Sequence, residues 1–354
     1  MSGRDAIGES SPGKGGLDFF RSVGVDFSTA RQDARDSVFF DEAGAVSFMD
    51  EAAMSGVPQS VALSTCNRTE VFFFADDRSA DAVVKLFTRM FPAASECSRT
   101  HSGKEAFSRL CRIGAGFESA VFGEYQILGQ LKAAHALSLA SGHSCGELDR
   151  IVRAAIACAK NIRTVLDLGA TAPSVCRAGM ERVAAEFGIK GKSVFVIGSG
   201  RTGSLAARLA HEAGASSISI CNRDPERARR LAGEIGARMV EYSGRYKAVG
   251  ESDIVVSATA SPHTVVRAGE VSICRKTVFL DLASPRDVDP ALASNPFVKI
   301  ISVDTIAEMA SCDKAERERM ESVASAAVDE AAAELALSLV RVAAMAGKGA
   351  AVCA

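Results

Sequence analysis

The chain has 354 residues, of which 47% are hydrophobic and 24% are charged, and this length predicts two or three soluble globular domains. Its formal net charge of −2 excludes a global basic field, so a nucleic-acid partner would have to be bound by a local patch. The ten cysteines contain no CxxC pair and the five histidines no metal-ligand spacing, which excludes a disulfide-rich secreted domain, gives no metal site and predicts reduced thiols in a cytoplasmic protein.

In the N-terminal half, short apolar runs first alternate with helical patterns and then give way to helices alone. Residues 1–16 are polar and glycine-rich, lack the apolar core of a signal peptide, and are expected to form a disordered tail. From about residue 17 to 91 the runs RSVGVDF, SVAL and EVFFF predict strands between helices, and from 104 to 168 helical patterns follow. This order predicts an α+β first domain over residues 17–168, with no apolar run able to span a membrane.

The C-terminal half begins after the turn-rich segment GATAPS with a helix over residues 175–187. Strands and helices then alternate, the strands being SVFVI, SSISICNRD, DIVVSATA, TVFLDLA and KIISVDTI. This alternation predicts a Rossmann-type, doubly wound parallel sheet over residues 169–304. Residues 305–354 predict one long C-terminal helix, which is more typical of a spine or an interface than of a core element. The predicted fold class is therefore multidomain α/β.

A glycine-rich turn follows the strand SVFVI and opens a helix. Gly198, Gly200 and Gly203 form GxGxxG in the strand-turn-helix setting that a dinucleotide site requires: the first permits the turn, the second the approach of a pyrophosphate, and the third helix packing. The alternative is a glycine-rich packing turn. The remaining cofactor-binding candidates are Ser199, Arg201, Thr202, Thr259 and Ala260.

The end of the strand SSISIC decides which nicotinamide cofactor is favoured. NAD enzymes usually place an acidic residue there against the ribose 2′-hydroxyl, whereas this chain has Asn222 and Arg223. A guanidinium can bind a 2′-phosphate, so the sequence favours NADPH. The alternative is that Arg223 is a solvated residue at a helix start and that Asp224 reads the ribose.

The segment LSTCNRTE places a thiol and a guanidinium between two apolar runs. Cys66 is expected at a strand terminus with Arg68 nearby, where a cation would lower the pKa of the thiol and favour the nucleophilic thiolate. The alternative is a small buried core residue. A thiol nucleophile together with NADPH suggests that an acyl group is taken as a thioester and reduced by hydride to an aldehyde.

Several sequence blocks resemble those of the glutamyl-tRNA reductases, which begin the five-carbon route to tetrapyrroles. The most specific are LSTCNRTEVF (63–72) and GEYQILGQLKAA (123–134), and the others are AKNIRT, VFVIGSGRTGSLAARLA, CNRDPERARRLAGEIGA, DIVVSATASPH and DLASPRDVDP. The resemblance implies an NADPH-dependent oxidoreductase that converts glutamyl-tRNA to glutamate-1-semialdehyde through a cysteine thioester, in the first step of 5-aminolevulinate and haem synthesis. It also implies that residues 17–168 are the catalytic, glutamyl-tRNA-binding domain.

The same resemblance implies residue roles. Cys66 would be the nucleophile that attacks the ester between glutamate and tRNA, within a polar pocket whose apolar flanks hold it rigid. The implied substrate-binding residues are Thr29, Thr65, Asn67, Arg68, Thr69, Ser119, Glu124, Gln126 and Gln130.

Two departures from the family pattern concern this pocket. The family usually carries a histidine where a gapless count places Arg109, and an asparagine-histidine pair where this chain has Asp26 and Phe27. We expect Arg109 to lie near Cys66 as a second catalytic residue, lowering the pKa of the thiol, although a guanidinium cannot exchange a proton near neutral pH.

A third departure concerns length and assembly. The family normally continues into a helical dimerisation domain, so residues 305–354 are expected to be its shortened form. A homodimer could still form through the alanine-rich face at Ala324, Ala327 and Ala331.

The predicted partners are glutamate-charged tRNA and, as a further candidate, glutamate-1-semialdehyde aminomutase. Arg153, Lys160 and Arg163 share one broad helix face and predict a phosphate-contacting stripe, the alternative being a solvated face. Two other functions stay open from the sequence: a non-catalytic paralogue with a binding or regulatory role, and an acyl reductase of secondary metabolism.

Overall fold

The computed structural model describes residues 16–124, 126–168, 175–261, 263–307 and 314–352, and within them two β-sheets organise the chain. The expected N-terminal tail, apart from Gly16, and the segment GATAPS lie outside the described residues. The domain limits at residues 168 and 304 therefore stay predictions.

The first sheet is antiparallel, with the order β2-β3-β1-β4. Its strands are β1 (Phe20–Asp26), β2 (Ser60–Ser64), β3 (Arg68–Phe74) and β4 (Arg99–Ser102). Successive side chains of β3 point to opposite faces, so that Phe72 belongs to one buried cluster while Val71 and Phe73 belong to another. Both faces are covered, and β2 and β3 accordingly contain the consecutive apolar residues VAL and VFFF, whereas the polar β4 has no such run and was not predicted.

Helices cover both faces of this sheet. They are α1 (Gln32–Ser37), α2 (Glu42–Met54), α3 (Asp77–Met90), α4 (Gly103–Ala115), α5 (Gln126–Ala140) and α6 (Gly146–Val165). The carboxylates of Asp41 and Asp76 cap α2 and α3, accepting from the backbone N–H of Gly44 at 2.7 Å and of Ser79 at 2.8 Å. Helices α2 and α3 pack on one face, and α4, α5 and α6 pack on the other.

The second sheet is parallel, with the order β10-β9-β8-β5-β6-β7. Its strands are β5 (Ser193–Ile197), β6 (Ser217–Cys221), β7 (Arg238–Met239), β8 (Ile254–Ser257), β9 (Thr277–Asp281) and β10 (Val298–Ser302). The helices of this unit are α7 (Val175–Phe187), α8 (Arg201–Glu212), α9 (Pro225–Ile235), α10 (Arg245–Glu251) and α11 (Val303–Ala307). The strand order reverses between β5 and β8, which is where a doubly wound fold binds its ligand. The predicted α/β multidomain fold is confirmed.

The C-terminal helix packs back on the first domain. Helix α12 (Lys314–Val352) was expected to begin near residue 305, but residues 303–307 form the separate α11, and 308–313 lie outside the described residues. Buried side chains on one face of α12 join the core beneath α4 and α6; they are Ala324, Val328, Ala332, Leu335 and Leu339. No helix within the described ranges, α12 included, is long and apolar enough to cross a membrane.

This packing changes the interpretation of the alanine-rich face of α12. Ala324 is fully buried within the chain, and the carbonyl of Ala327 lies 3.6 Å from the Sγ of Cys158 on α6. Ala324 therefore packs within the chain, whereas Ala327 and Ala331 are only partly buried, and pairing of this face with a second chain stays a prediction. The helix is a core element as well as a spine.

Ion pairs join the first domain to the parallel-sheet domain. The guanidinium of Arg286, which follows β9, pairs with Asp33 and lies 2.6 Å from Asp36 on α1. In the opposite direction, Arg35 of α1 pairs with Asp304 of α11. Because each domain contributes an arginine to these pairs, α1 is held against the loops at one end of the parallel sheet.

The packing of α12 predicts unequal effects for two leucines that are two residues apart and lie on different faces of the helix. Replacing the buried Leu335 with alanine should lower the free energy of unfolding by about 2–5 kcal/mol, as for other buried leucines. The matched change at Leu337, whose side chain is 62% exposed, should cost less than about 0.5 kcal/mol. Urea denaturation measures both, and equal losses would mean that α12 does not pack on the first domain as described.

Candidate active site at the turn between β2 and β3

Three residues, Thr65, Cys66 and Asn67, form the turn that joins β2 to β3. The N–H of Thr65 donates to the carbonyl of Arg68 at 2.8 Å, and the carbonyl of Asn67 accepts from the N–H of Phe27 at 2.9 Å. These polar residues therefore interrupt the apolar runs because they form the tip of a hairpin whose strands are buried. Cys66 lies at a strand end, as expected, although the sheet is antiparallel.

Below this turn lies a network of buried charges. The guanidinium of Arg68 is wholly buried, donates to the carbonyl of Glu118 and has its Nη1 3.5 Å from Oε2 of Glu70. Arg109 donates from Nε to Oε1 of Glu70 and from Nη2 to Oδ2 of Asp26, both at 2.6 Å. Burial alone would raise the pKa of Asp26, but hydrogen bonds and the charges of Arg68 and Arg109 bring it to about 2.

The thiol itself does not have the expected electrostatic environment. Cys66 is half-buried, and burial together with the negative charge of Glu124 raises the pKa of its thiol to about 12, while Arg35 and Arg68 only partly oppose this rise. Arg109 instead directs its guanidinium to Asp26 and Glu70. Arg68 thus acts in the predicted direction but is outweighed by burial and Glu124, so the expectation of a lowered thiol pKa with a part for Arg109 is wrong.

Glu124 is the carboxyl group that faces the turn. Its Oε2 lies 3.4 Å from Nδ2 of Asn67, the residue after the thiol. Burial raises the pKa of Glu124 to about 7, although Arg68, the hydroxyl of Ser119 and Arg163 lower it. The group is therefore divided between its two protonation states at neutral pH.

Around the turn, buried polar atoms lack hydrogen-bond partners among the described residues. They include Oδ1 of Asn67 and Nε of Arg68, and Nε2 of Gln126 at the start of α5 is a further such atom. Leaving such a group unpaired costs about 1–3 kcal/mol, so their concentration here indicates a site that a polar ligand completes. Gln126 opens α5, and the partly buried Gln130 follows one turn later on the same helix face.

Two of the expected substrate-binding threonines are engaged within the protein. The hydroxyl of Thr69 donates to the carbonyl of Val38 at 2.6 Å, and the hydroxyl of Thr29 lies within 3.2 Å of both the N–H and the carbonyl of Asp26. These contacts hold the ends of β1 and β3. They give the two hydroxyls a structural role beside the pocket.

Arg163 has a role that the sequence did not reveal. Its buried guanidinium donates to the carbonyls of Ala115 at 2.9 Å, Glu124 at 3.0 Å and Leu168 at 2.7 Å. It therefore holds the loop that carries Ser119 and Glu124. The prediction that Arg163 contacts RNA phosphates is wrong, since its donors point into the protein, whereas Arg153 and Lys160 are exposed.

The second domain has a cleft of about 390 Å³ at its glycine-rich turn. The predicted residues that the structure brings together along it are Gly198, Ser199, Gly200, Arg201, Thr202, Asn222, Arg223, Thr259 and Ala260. Sequence reasoning missed four further lining residues, which are Arg227, Tyr242, Ala258 and Ser261.

The glycines of this cleft differ in what surrounds them. A Cβ at Gly203 would lie 2.0 Å from the carbonyl oxygen of Gly198, and one at Gly198, where φ is +101°, would lie 2.4 Å from that of Ala258. A Cβ at Gly200 would meet nothing within 4 Å, and the neighbouring Ser199 hydroxyl is buried without a partner among the described residues. Close backbone contacts and the positive φ at Gly198 thus require two of the glycines, while the open space at the third suits a phosphate at the start of α8.

Arg223 stands at the rim of the same cleft. Its Nη2 donates to the hydroxyl of Ser261 at 2.7 Å, and its guanidinium lies 6.0 Å from the ring centroid of Tyr242. Asp224 instead caps α9, its carboxylate accepting from the N–H of Glu226 at 3.0 Å. Of the two residues weighed from the sequence, Arg223 is the one that lines the cleft.

The turn and the cleft each have a residue in contact with the other domain. Cys66 and Phe27 pack against the apolar core of the parallel-sheet domain. From the other side, the Nη1 of Arg201 lies 3.5 Å from where a Cβ on Gly129 of α5 would be. In the described part of the chain, no three His, Cys, Asp or Glu side chains are grouped to hold a metal ion.

Comparisons with known proteins match both halves of the chain. A family model described as "Glutamyl-tRNAGlu reductase, N-terminal domain" matches residues 23–166, and one described as "Shikimate / quinate 5-dehydrogenase" matches residues 181–309. The first match covers the turn, the charge network and Glu124, and the second covers the cleft.

Relatives that match most of the chain are named glutamyl-tRNA reductases. A glutamyl-tRNA reductase 2 of Anaeromyxobacter dehalogenans is 32% identical over 87% of this chain and 70% of its own length. The glutamyl-tRNA reductase of Myxococcus xanthus is 34% identical over 83% of this chain and 69% of its own. The solved glutamyl-tRNA reductase of Methanopyrus kandleri superposes with a TM-score of 0.51 at 26% identity, covering 92% of this chain and 81% of that one.

The contacts of Arg163 predict a large loss of stability on truncation. Replacing Arg163 with alanine leaves buried carbonyls without a charged donor, and should lower the free energy of unfolding by at least about 1.5–3 kcal/mol. Replacing Arg153, whose side chain is 65% exposed beside Asp149, should cost less than about 1 kcal/mol. Thermal or urea unfolding would measure both, and a small effect at Arg163 would contradict its assigned place under the loop.

Proposed function

The chain belongs to the glutamyl-tRNA reductase family, and we propose that it reduces the glutamyl group of glutamyl-tRNA to glutamate-1-semialdehyde, the first step of five-carbon tetrapyrrole synthesis. This proposal rests on the position of the Cys66 thiol. The thiol lies on a turn where buried polar atoms lack partners among the described residues, and it packs against the domain that carries the dinucleotide-type cleft. The relatives carry the reductase name, so neither a non-catalytic paralogue nor an acyl reductase of secondary metabolism is favoured.

Cys66 is the proposed nucleophile. Its sulfur would bond to the carbonyl carbon of the glutamyl ester, and the tRNA would leave with the ribose oxygen. The hairpin supports this role because hydrogen bonds on both sides of the turn fix where the sulfur lies. The half-buried position against the second domain limits the access of water to the thioester.

The proposed glutamate pocket lies beside the sulfur. A buried arginine with a free Nε suits a carboxylate, and the unpartnered amide atoms of Asn67 and Gln126 suit further polar groups of an amino acid. We propose Thr65, Ser119, Glu124 and Gln130 as further lining residues, and Thr29 and Thr69 as residues that hold the pocket's frame. Because Arg68 is rigidly buried, the pocket should discriminate strongly against uncharged amino acids.

The cleft at the second sheet binds a nicotinamide cofactor, which when bound supplies the hydride that reduces the thioester. We propose that this cofactor is NADPH. The backbone at Gly200 and the hydroxyl of Ser199 would hold the pyrophosphate, and Arg223 would pair with the 2′-phosphate. Because the turn and the cleft each contact the other domain, the cofactor's reactive end can be directed towards Cys66.

Glutamyl-tRNA is the proposed partner, and exposed Arg150, Arg153 and Lys160 on α6 are the proposed phosphate contacts. The aminomutase that would consume the aldehyde product, and a homodimer, stay predictions.

Replacing Cys66 with serine should abolish aldehyde formation and leave the fold intact, because a hydroxyl is a far weaker nucleophile than a thiol. Product analysis with glutamyl-tRNA, free glutamate and other aminoacyl-tRNAs should give semialdehyde from glutamyl-tRNA alone. Replacing the exposed Cys145 with serine should change neither activity nor fold. Activity above a few per cent in the Cys66 variant would contradict the thioester mechanism.

Replacing Arg223 with alanine should raise the KM for NADPH by about 10-fold or more, since a charge-assisted contact to the 2′-phosphate would be lost. The KM for NADH should change little. Arg229 on α9 pairs with Glu226 and does not line the cleft, so its alanine variant should leave both values unchanged. Equal increases for the two cofactors in the Arg223 variant would assign the 2′-phosphate to another residue.

A further inference from the structure

The thiol of Cys66 has to lose a proton before it can attack an ester. Its pKa is raised to about 12, so almost none of it is thiolate at neutral pH. Of the side chains that act on it, Arg35 and Arg68 are guanidiniums, which keep their protons in proteins. Arg109 is a guanidinium too, and it is held by Asp26 and Glu70. Among the described side chains whose charges act on this thiol, the carboxyl of Glu124 is the one that can exchange a proton near neutral pH.

Glu124 is built into the site from several sides. Its carbonyl accepts from Arg163, and Gly116 leaves room for its backbone, since a Cβ there would lie 2.7 Å from that same carbonyl oxygen. With the backbone fixed in this way, the carboxylate reaches Asn67 at 3.4 Å, one residue from the thiol. The charged groups that face it are Arg68 from β3 and Arg163 from α6.

We propose that Glu124 is the general base and general acid of the acyl-transfer step, an inference that rests on the proposed function. The carboxylate takes the proton of the Cys66 thiol as sulfur bonds to the ester carbonyl carbon. When the bond from that carbon to the ribose oxygen breaks, the same proton passes from Glu124 to the ribose oxygen. One proton has moved from thiol to tRNA, and no oxidant or reductant is consumed.

The environment of Glu124 suits both halves of this transfer. Burial raises its pKa to about 7, so the ionised form is available as a base at neutral pH and the protonated form is a competent acid. Because a raised pKa in a carboxyl group removes the base as pH falls, acylation should rise with pH through about 7. The pKa of an arginine lies too high to give such a dependence.

The test compares two reactions of the same sulfur in the Glu124→Gln variant. Acylation by glutamyl-tRNA, followed in a single turnover, should fall by about 10²–10⁴-fold and lose its dependence on pH near 7. Alkylation of Cys66 by iodoacetamide should accelerate, since it needs only thiolate and the opposing negative charge of Glu124 is gone. Circular dichroism checks the fold, and the pH profile of wild-type acylation is an independent second measurement.

The Glu105→Gln variant, at an exposed carboxylate of α4, should acylate as the wild type does. The proposal would be overturned if acylation and alkylation fell together in the Glu124 variant, or if acylation kept its rate there. A wild-type acylation rate that does not change with pH around 7 would also overturn it. If the wild type forms no acyl-enzyme, the proposed function fails. The pH dependence of alkylation then still tests whether Glu124 acts on the thiol. Identical alkylation profiles from about pH 6 to 9 in the wild type and the Glu124 variant would refute that link.

Discussion

The burial of Arg68 is the constraint on which the rest of the first domain depends. A guanidinium with no exposed surface is tolerated only where opposite charges and carbonyls surround it. Glu70 on the same strand and the loop carbonyl of Glu118 contact it directly, and Asp26, its register partner on β1, adds a second negative charge. Arg109 then neutralises Asp26 and Glu70 from α4. One buried charge thus draws two strands, a helix and a loop to the turn that carries Cys66.

The same network of buried charges determines which groups near the turn can transfer a proton. The two departures from the family pattern, Asp26 and Arg109, are partners in one ion pair, so they act as a structural unit that leaves no proton to transfer. Negative charge and burial keep the thiol protonated, which protects it until an ester is bound next to Glu124. The reactivity of the thiol therefore depends on the nearby carboxyl group of Glu124. A neighbouring cation would instead have kept the sulfur ionised as thiolate before an ester is bound.

Local patterns predicted most of the fold. Apolar runs located β1, β2 and β3, and the setting of Gly198, Gly200 and Gly203 located the cofactor cleft, because in each case the signal is carried by adjacent residues. The errors concern partners that are distant in sequence. An arginine on a helix face looks the same whether it meets RNA or, like Arg163, a carbonyl 48 residues away. The alanines of α12 do not show which helix they pack on, and the pKa of Cys66 depends on Glu124, 58 residues further along the chain.

The central claim is that Cys66 accepts a glutamyl group at the seam between two domains and that the nicotinamide cofactor then reduces it there. The most direct measurement mixes the protein with glutamyl-tRNA in the absence of cofactor and determines the mass of the peptide that carries Cys66. One glutamyl group should be found on that sulfur, and NADPH should then discharge it as glutamate-1-semialdehyde. A peptide that stays unmodified while NADPH-dependent aldehyde formation is full, or a glutamyl group found on another residue, would contradict it.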